Sequence, residues 1–257
     1  SKNSRISPKA RSDMKLLEVK SVTKKFGPLV AVDSASMFID DNEIVGLIGP
    51  NGSGKSTLLH TICGRTFATE GSIYLQGSDI TTKTPQIRAK SGMAIKFQLA
   101  RIYLEKTVRE NLLISLQAKE SIWRQLRSAS LKAFEVKISE LAKEFQLEEY
   151  LNEPAKSLSH GQQQWLEIAM AMAADPILLL LDEPTAGMSP KERADTASLI
   201  KKASEKCGVL IVEHDLDFIK ELCNRISVLH HGNIVATGTP TQIENDPKVK
   251  EVYLTRV

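Results

Sequence analysis

GPNGSGKST, at residues 49–57, is the stretch that decides the fold of this 257-residue chain. It fits the pattern G-x-x-x-x-G-K-S of a phosphate-binding loop. The apolar run at residues 44–48 has the composition of a buried strand, and a helical pattern begins at Ser56. Because strand, loop and helix are the context that this motif requires, a glycine-rich surface turn with an exposed lysine is the weaker interpretation.

The chemistry of this loop follows from its glycines and its lysine. Glycines let successive backbone N–H groups point inward around an anion, and the helix N-terminus adds its positive dipole end. We expect Lys55 to reach the β- and γ-phosphates of a nucleotide and the Ser56 hydroxyl to bind Mg²⁺. The predicted nucleotide-binding residues of the loop are Gly49, Pro50, Asn51, Gly52, Ser53, Gly54, Lys55, Ser56 and Thr57.

Two acidic residues follow a wholly apolar predicted strand. Residues 177–181 are apolar, and Asp182 and Glu183 stand at the carboxyl end of this run. Ligands of open α/β sheets collect at that edge. Beside a phosphate-binding loop, we expect Asp182 to help hold Mg²⁺ and Glu183 to polarise an attacking water. The alternative is an ordinary Asp–Glu turn.

Two more polar residues follow predicted strands. Gln98 comes after the mostly apolar residues 93–97, and His214 comes two positions after the apolar residues 209–212. Either residue alone would indicate little, since a single Gln or His is usually structural. Together with the acidic pair they predict one functional edge, at which Gln98 reaches the nucleotide and metal site and His214 contacts a γ-phosphate.

A second anion site is predicted at the start of another helix. Residues 158–162 have the sequence LSHGQ and lead into a helical pattern. Ser159 fits the N-cap position, and Gly161 permits the close approach of a phosphate or of another backbone. An ordinary capped helix is the alternative, and on these residues alone it is favoured.

The N-terminal part of the chain has a strand pattern. We predict strands at residues 16–22 and 29–39, with a turn at residues 23–28 that holds Phe26 on a loop. An aromatic side chain there could stack on a nucleotide base. A plug of the hydrophobic core is an equally good interpretation. Residues 1–15 are polar and basic, and we expect a flexible tail.

The middle of the chain is helical and basic. Thr107 and Glu110 form a predicted capping box, and residues 121–147 keep a helical spacing of apolar side chains. Residues 83–132 carry 11 basic and 3 acidic side chains. This excess indicates either a surface that faces a membrane or an acidic protein, or a solvated helical face.

Composition excludes several classes of protein. The net charge of +3 gives no indication of nucleic-acid binding, and no apolar run is long enough to span a membrane. No signal segment opens the chain, so we expect a cytoplasmic location. The three cysteines lack C-x-x-C spacing, which predicts reduced thiols and no cysteine metal site.

These motifs, in this order, resemble the nucleotide-binding subunit of an ATP-binding-cassette (ABC) transporter over residues 16–254. The resemblance implies an α/β fold with three parts: a P-loop NTPase core of mostly parallel sheet, an N-terminal antiparallel β subdomain, and a helical subdomain inserted at about residues 99–160. His160 departs from the family's usual Gly, and Lys96-Phe97 lies in a variable segment. The matching residues are Phe26 for adenine, 49–57 for Walker A, Gln98 for the Q-loop, 158–162 for the signature, 177–182 for Walker B, Glu183 for the catalytic glutamate and His214 for the switch histidine.

The resemblance also implies an assembly. Two such subunits sandwich two Mg–ATP head to tail, so that Ser159, Gly161 and Gln162 of one chain meet the ATP of the other. The expected partners are a paralogous ATPase subunit, two transmembrane permeases and a solute-binding protein, with this chain bound to the cytoplasmic face of the membrane. Residues 99–132 are the expected coupling surface.

Within the family, residues 184–188 and 245–254 look like the branch that imports branched-chain amino acids and urea. Residues 158–168 and 228–230 favour urea, whereas Thr185 stands where that subunit often has Val. We therefore expect a urea importer, with branched-chain amino acids as the alternative.

Two rival classes fit less well. A chromosome-maintenance ATPase would need a long coiled coil between Gln98 and Ser159, and a translation-factor ATPase would carry two cassettes. An exporter or a regulatory module stays open, because one cassette does not encode the direction of transport.

Overall fold

The structure, a computed structural model, describes residues 15–95, 102–119 and 128–254. Its first layer is a four-stranded antiparallel sheet in the order β2-β1-β4-β5. The strands alternate buried and exposed side chains along β1 and β2, as expected for a sheet with one face on the core. Their bounds are β1 Leu17–Phe26, β2 Leu29–Ile39, β4 Glu70–Leu75 and β5 Ser78–Asp79.

The second layer is a six-stranded sheet in the order β10-β9-β3-β8-β7-β6. All neighbouring strands are parallel except β10, which pairs antiparallel with β9. Strands β3 and β8 are buried at every residue, which explains their continuous apolar sequences. The bounds are β3 Ile44–Ile48, β6 Met93–Ile95, β7 Leu178–Asp182, β8 Gly208–Val212, β9 Arg225–His230 and β10 Asn233–Gly238.

Helices cover the second sheet. The sequence between β6 and β7 supplies α3, α4 and α5, together with short 3₁₀ turns at Glu148–Tyr150 and Ala155–Ser157. The described helices are α1 Lys55–Cys63, α2 Pro85–Lys90, α3 Val108–Lys119, α4 Ser128–Glu144, α5 His160–Met172, α6 Pro190–Ser204, α7 Leu216–Leu222, α8 Pro240–Asn245 and α9 Pro247–Leu254. None of them is both long enough and apolar enough to cross a membrane.

The two faces of the large sheet have separate hydrophobic cores. Leu179 and Leu181 of β7 pack with the helices α3 to α6. Leu178 and Leu180 pack with α1 and the N-terminal sheet. Because successive side chains of a strand point to opposite faces, β7 is clamped between both cores. Its carboxyl end is thereby held in a fixed position.

Most of the predicted elements are confirmed, with two corrections. The first strand runs to Phe26 and does not end at residue 22, because its pairing with β2 continues to Leu29 through bulges. The helix predicted for residues 121–147 ends at Glu144 in the described part, and a 3₁₀ turn follows. The Thr107–Glu110 capping box is confirmed.

Two further predictions concern the N-terminal tail and the three cysteines. Residues 1–14 of the predicted tail lie outside the described residues, and the Lys15 ammonium lies 2.9 Å from the Asp40 carboxylate. Cys63, Cys207 and Cys223 are free and buried, as predicted for reduced thiols. Burial raises the pKa of each thiol, that of Cys207 to about 12.

Candidate functional site

The predicted phosphate-binding loop lies between β3 and α1 and is enclosed by neighbouring strands. Gly49 has φ 153° and Gly54 has φ 105°. A Cβ atom on Gly49 would lie 2.0 Å from the Leu229 carbonyl oxygen, and one on Gly54 would lie 2.3 Å from the Ala31 carbonyl oxygen. Both positions therefore require glycine, because β2 and β9 press directly on the loop.

Lys55 is held at the centre of this loop. Its side chain is buried, and Nζ donates hydrogen bonds to the carbonyl oxygens of Gly49 at 2.8 Å and Pro50 at 2.9 Å. The ammonium group thus lies at the N-terminus of α1, where the backbone N–H groups and the helix dipole also favour an anion. Ser56, next along α1, is exposed. The loop is therefore preorganised to take a phosphate.

The predicted acidic pair and His214 meet at the carboxyl edge of the same sheet. Asp182 ends β7 and pairs with Val212 of β8. The Glu183 N–H continues this pairing by donating to the Val212 carbonyl oxygen at 2.8 Å. This turn gives Glu183 a φ of 44° and places its Oε1 3.7 Å from Nδ1 of His214. Both side chains are about half exposed, so they are accessible to a ligand.

Glu213 is the site residue that the sequence analysis did not single out. Its side chain is 1% exposed and lies between the loop that follows β7 and the loop that follows β8. Oε1 accepts hydrogen bonds from the Thr185 hydroxyl at 2.6 Å and from the Thr185 N–H at 3.2 Å. Oε2 accepts a hydrogen bond from the backbone N–H of His214 at 3.0 Å. The signal available in the sequence was a charged residue directly after a wholly apolar strand, which implies a buried carboxylate with partners.

The start of α5 forms the predicted capped terminus. Ser159 is the N-cap, and its hydroxyl and the Gln162 side chain complete a capping box. His160 Nε2 lies 3.0 Å from the Ala186 carbonyl oxygen, in the loop that follows Glu183. Within the described residues, the hydrogen bonds of Ser159 and Gln162 join α5 to itself and to α6, and none joins them to residues 49–57.

Comparison with known proteins identifies the family. The family model described as "ABC transporter" matches residues 32–186, a stretch that holds the phosphate-binding loop, the start of α5 and the acidic pair. The chain belongs to the ABC transporter family. It is an ATPase subunit, and solved structures of related cassettes share its fold.

Curated relatives of this ABC subunit match it over nearly its full length. The LivG protein of Escherichia coli K12, a high-affinity branched-chain amino acid transport ATP-binding protein, is 36% identical and covers 93% of this chain and 97% of its own length. The BraF protein of Pseudomonas aeruginosa, of the same description, is 35% identical with the same coverage. The lipopolysaccharide export system ATP-binding protein LptB of Haemophilus influenzae is also 35% identical and covers 94% and 98%.

Solved cassettes match the ABC fold closely. A crystal structure of an ABC transporter cassette in its ADP conformation has a TM-score of 0.83 at 31% identity, and covers 94% of this chain and 99% of its own. A dimeric post-hydrolysis cassette bound to ADP and Pi has a TM-score of 0.74 at 28% identity, and covers 87% and 98%.

Phe26 lies at the tip of the β1–β2 hairpin of this ABC subunit. It is the last residue of β1 and not part of a loop, and its side chain is 47% exposed. The interpretation of Phe26 as a core plug is therefore wrong. Lys24 Nζ lies 4.9 Å from the ring centroid, so one face of the ring carries a cation.

The structure describes two of the three predicted magnesium ligands of the ABC subunit, Ser56 and Asp182. Gln98 lies outside the described residues, as do Lys96 and Phe97. Ser56 and Asp182 supply a hydroxyl and a carboxylate, which are the oxygen ligands that Mg²⁺ prefers when phosphates complete its coordination. The residues present therefore fit a magnesium–nucleotide complex.

Proposed function

We propose that this chain binds and hydrolyses Mg–ATP to drive the import of branched-chain amino acids through a membrane permease. The observation that carries the proposal is the similarity to LivG and BraF, which extends over 93% of this chain and 97% of each relative. The export subunit LptB matches over as much of the chain, so the choice of solute rests on the recurrence of branched-chain amino acid subunits, from bacteria and from an archaeon, among the relatives. This recurrence favours branched-chain amino acids over urea.

The loop residues 49–57 and Lys55 bind the phosphates of ATP. The buried ammonium, now bonded to two loop carbonyls, is placed to exchange these contacts for the β- and γ-phosphate oxygens. Ser56, Asp182 and Gln98 hold Mg²⁺, which neutralises charge on the phosphates when it is bound. The exposed ring of Phe26 stacks on the adenine.

Glu183 and His214 act on the γ-phosphate. Glu183 orients and deprotonates the attacking water, and His214 contacts the γ-phosphate. The distance of 3.7 Å between Oε1 and Nδ1 lets both groups face the same small volume. Their exposure leaves that volume open to the nucleotide.

The composite site needs a second subunit. Ser159, Gly161 and Gln162 donate to the ATP bound by a partner, since in their own chain they bond to α5 and α6 and not to the phosphate-binding loop. A related cassette with a dimeric structure supports this arrangement. The proposed partner is a paralogous ATPase subunit.

Two permeases and a solute-binding protein complete the proposed transporter. The helical subdomain, at about residues 99–160, contacts the permeases on the cytoplasmic face of the membrane. Tyr103 and Leu104, 52% and 48% exposed, supply apolar contact area near its start.

The experiment is capture of the complex through a tag on this chain from its native membranes, followed by reconstitution in liposomes. ATPase activity should rise when the co-purified solute-binding protein is loaded with leucine, isoleucine or valine, and not when it is offered urea. If the captured complex contains permeases but its ATPase activity responds to none of these solutes, the result would contradict the proposed substrate. A soluble complex without permeases would contradict the transport role.

Urea is the second candidate solute. The sequences at residues 158–168 and 228–230 favour it. Stimulation by urea alone in the same assay would select this candidate and would leave the ATPase mechanism unchanged.

A further inference from the structure

The first turn of α5 already holds an anion from its own chain. The Ser159 hydroxyl donates to Oε1 of Glu192 at 3.4 Å, and this oxygen lies against the backbone of Gly161. A Cβ atom on Gly161 would lie 2.6 Å from this oxygen, so a side chain at position 161 would displace the carboxylate from this place. Helix N-termini bind anions through their unpaired N–H groups, and here the anion is a side chain of α6.

Glu192 serves the start of α6 at the same time. Its Oε2 accepts hydrogen bonds from the Ser189 N–H at 2.9 Å and the Ser189 hydroxyl at 2.7 Å. The Ser189 bonds, with smaller contributions from Ser159 and Gly161, lower the pKa of Glu192 below its usual value. The side chain is therefore an ionised carboxylate at neutral pH that bridges the N-termini of two helices.

The Glu192 carboxylate occupies a donor that the proposed function reserves for ATP. In that function the Ser159 hydroxyl and the Gly161 N–H donate to the γ-phosphate bound by a partner subunit. The Ser159 hydroxyl cannot donate to a carboxylate and a phosphate together, and the two anions would repel each other at contact distance. We infer that Glu192 is a positioning residue that occupies the signature anion site in the free subunit and must leave it before the ATP-loaded dimer can close. The inference rests on the proposed composite site.

The local structure allows Glu192 to leave without separating the helices. A second link between α5 and α6 is buried: Trp165 Nε1 donates to the Thr196 hydroxyl at 2.8 Å. Beside Glu192 lies a cavity of about 550 Å³, whose lining includes two lysines, Lys143 and Lys191, and three further carboxylates, Glu148, Glu149 and Asp195. The cavity gives the displaced carboxylate room to rotate away from Ser159. The hydrogen bonds from Ser189 to Oε2, which cap α6, are the contacts that keep the Glu192 carboxylate in place.

The test uses Glu192→Gln, which removes the charge and keeps a side chain that forms capping boxes. It is made in the Glu183→Gln chain, so that ATP is not consumed, and with the ATPase subunit that co-purifies with this chain. Light scattering measures the ATP concentration at which half of the subunits have dimerised. Fluorescent-nucleotide binding to the separate chain reports on the phosphate-binding loop alone.

The expected result is a shift of the dimerisation midpoint to an ATP concentration about three- to tenfold lower, with unchanged nucleotide affinity of the separate chain. Two controls separate this effect from general ones. Asp195→Asn removes a carboxylate one turn further along α6 and should leave the midpoint in place. Ser189→Ala keeps the charge and removes one of the two bonds that hold Oε2, so it should lower the melting temperature and lower the midpoint by less than Glu192→Gln does.

The two possible failures are distinguishable. ATP-dependent dimers whose midpoint does not fall in Glu192→Gln would overturn the inference about Glu192 and leave the composite site intact. ATP binding without dimers in either chain would overturn the composite site of the proposed function, and the inference with it.

Discussion

The hydroxyl of Thr185 donates a 2.6 Å hydrogen bond to the carboxylate of Glu213, which is buried beside His214. Thr185 lies two residues after Glu183, so this bond fixes the loop that carries the proposed base. The other oxygen of Glu213 accepts the His214 N–H. One buried carboxylate therefore sets the relative positions of Glu183 and His214, the two side chains proposed to act on the γ-phosphate.

Glu213→Gln should lower turnover more than it lowers ATP binding. Three N–H and O–H donors converge on the carboxylate, and the amide NH₂ of Gln would oppose one of them. An unsatisfied buried donor costs about 1–3 kcal/mol of stability, and the resulting shift of the loop misplaces Glu183. Steady-state ATPase kinetics with nucleotide-binding titrations measure the two effects separately.

The matched control is Glu221→Gln on the exposed face of α7. It also replaces a carboxylate by an amide, but at an exposed position where no buried hydrogen bond is broken. It should leave both stability and turnover unchanged. Full turnover in Glu213→Gln would show that the buried carboxylate does not position Glu183.

Glu183→Gln should keep ATP binding and lose hydrolysis. Gln cannot accept the proton of the attacking water, and removal of a general base typically slows the chemical step by about 10²–10⁴-fold. Single-turnover hydrolysis of radiolabelled ATP, with equilibrium binding as the control, makes the measurement. Wild-type turnover would remove Glu183 as the base.

Whether a feature of this structure could be predicted from the sequence depends on how far apart the interacting residues lie along the chain. The phosphate-binding loop and the Ser159 cap were predictable because each is determined by residues within one short segment. The end of β1 was not, because bulged pairing with β2 carries the strand to Phe26. The role of Glu213 was missed for a related reason, because its partner Thr185 lies about 30 residues away in sequence. The part of Glu192 in the α6 capping box follows from the local sequence, whereas its approach to Gly161 does not.

Ser159→Arg should abolish turnover while leaving nucleotide binding to the separate chain intact. The N-cap of α5 is exposed, so the larger side chain fits in the monomer at the cost of the α5 cap, about 1 kcal/mol, and blocks the approach of a partner subunit. Ser157→Arg, on the neighbouring 3₁₀ turn, is the matched control and should keep activity. ATPase activity of the captured complex is the readout, and activity that persists in Ser159→Arg would contradict the composite site.

Phe26→Ala should raise the KM for ATP with little change in kcat. Stacking of an aromatic ring on a base contributes about 1–3 kcal/mol, and Phe26 takes no part in the acidic edge. Phe26→Tyr should restore binding, because it keeps the ring. Leu29→Ala, which removes an exposed side chain from the same hairpin, is the control and should leave KM unchanged. An unchanged KM in Phe26→Ala would show that adenine does not stack there.

Arg88→Met should destabilise the fold around the phosphate-binding helix. The Arg88 side chain is 1% exposed and donates to the carbonyl oxygens of Thr61 at 2.7 Å and Ile62 at 2.5 Å, in the last turn of α1. It also donates to the Thr81 and Lys83 carbonyls. A cation at this end of α1 complements the helix dipole, although burial lowers its pKa to about 10.

Loss of the guanidinium removes four hydrogen bonds, two of them buried, for an expected cost of about 3 kcal/mol. Thermal unfolding followed by circular dichroism, with and without ATP, measures this cost. Arg65→Met, on the exposed surface just past α1, should change stability by less than about 0.5 kcal/mol. Because Arg88 joins the end of α1 to the helix that precedes β6, its loss should also weaken ATP binding, which acts at the other end of α1. Equal melting temperatures for the two variants would show that the four carbonyl contacts do not stabilise the fold.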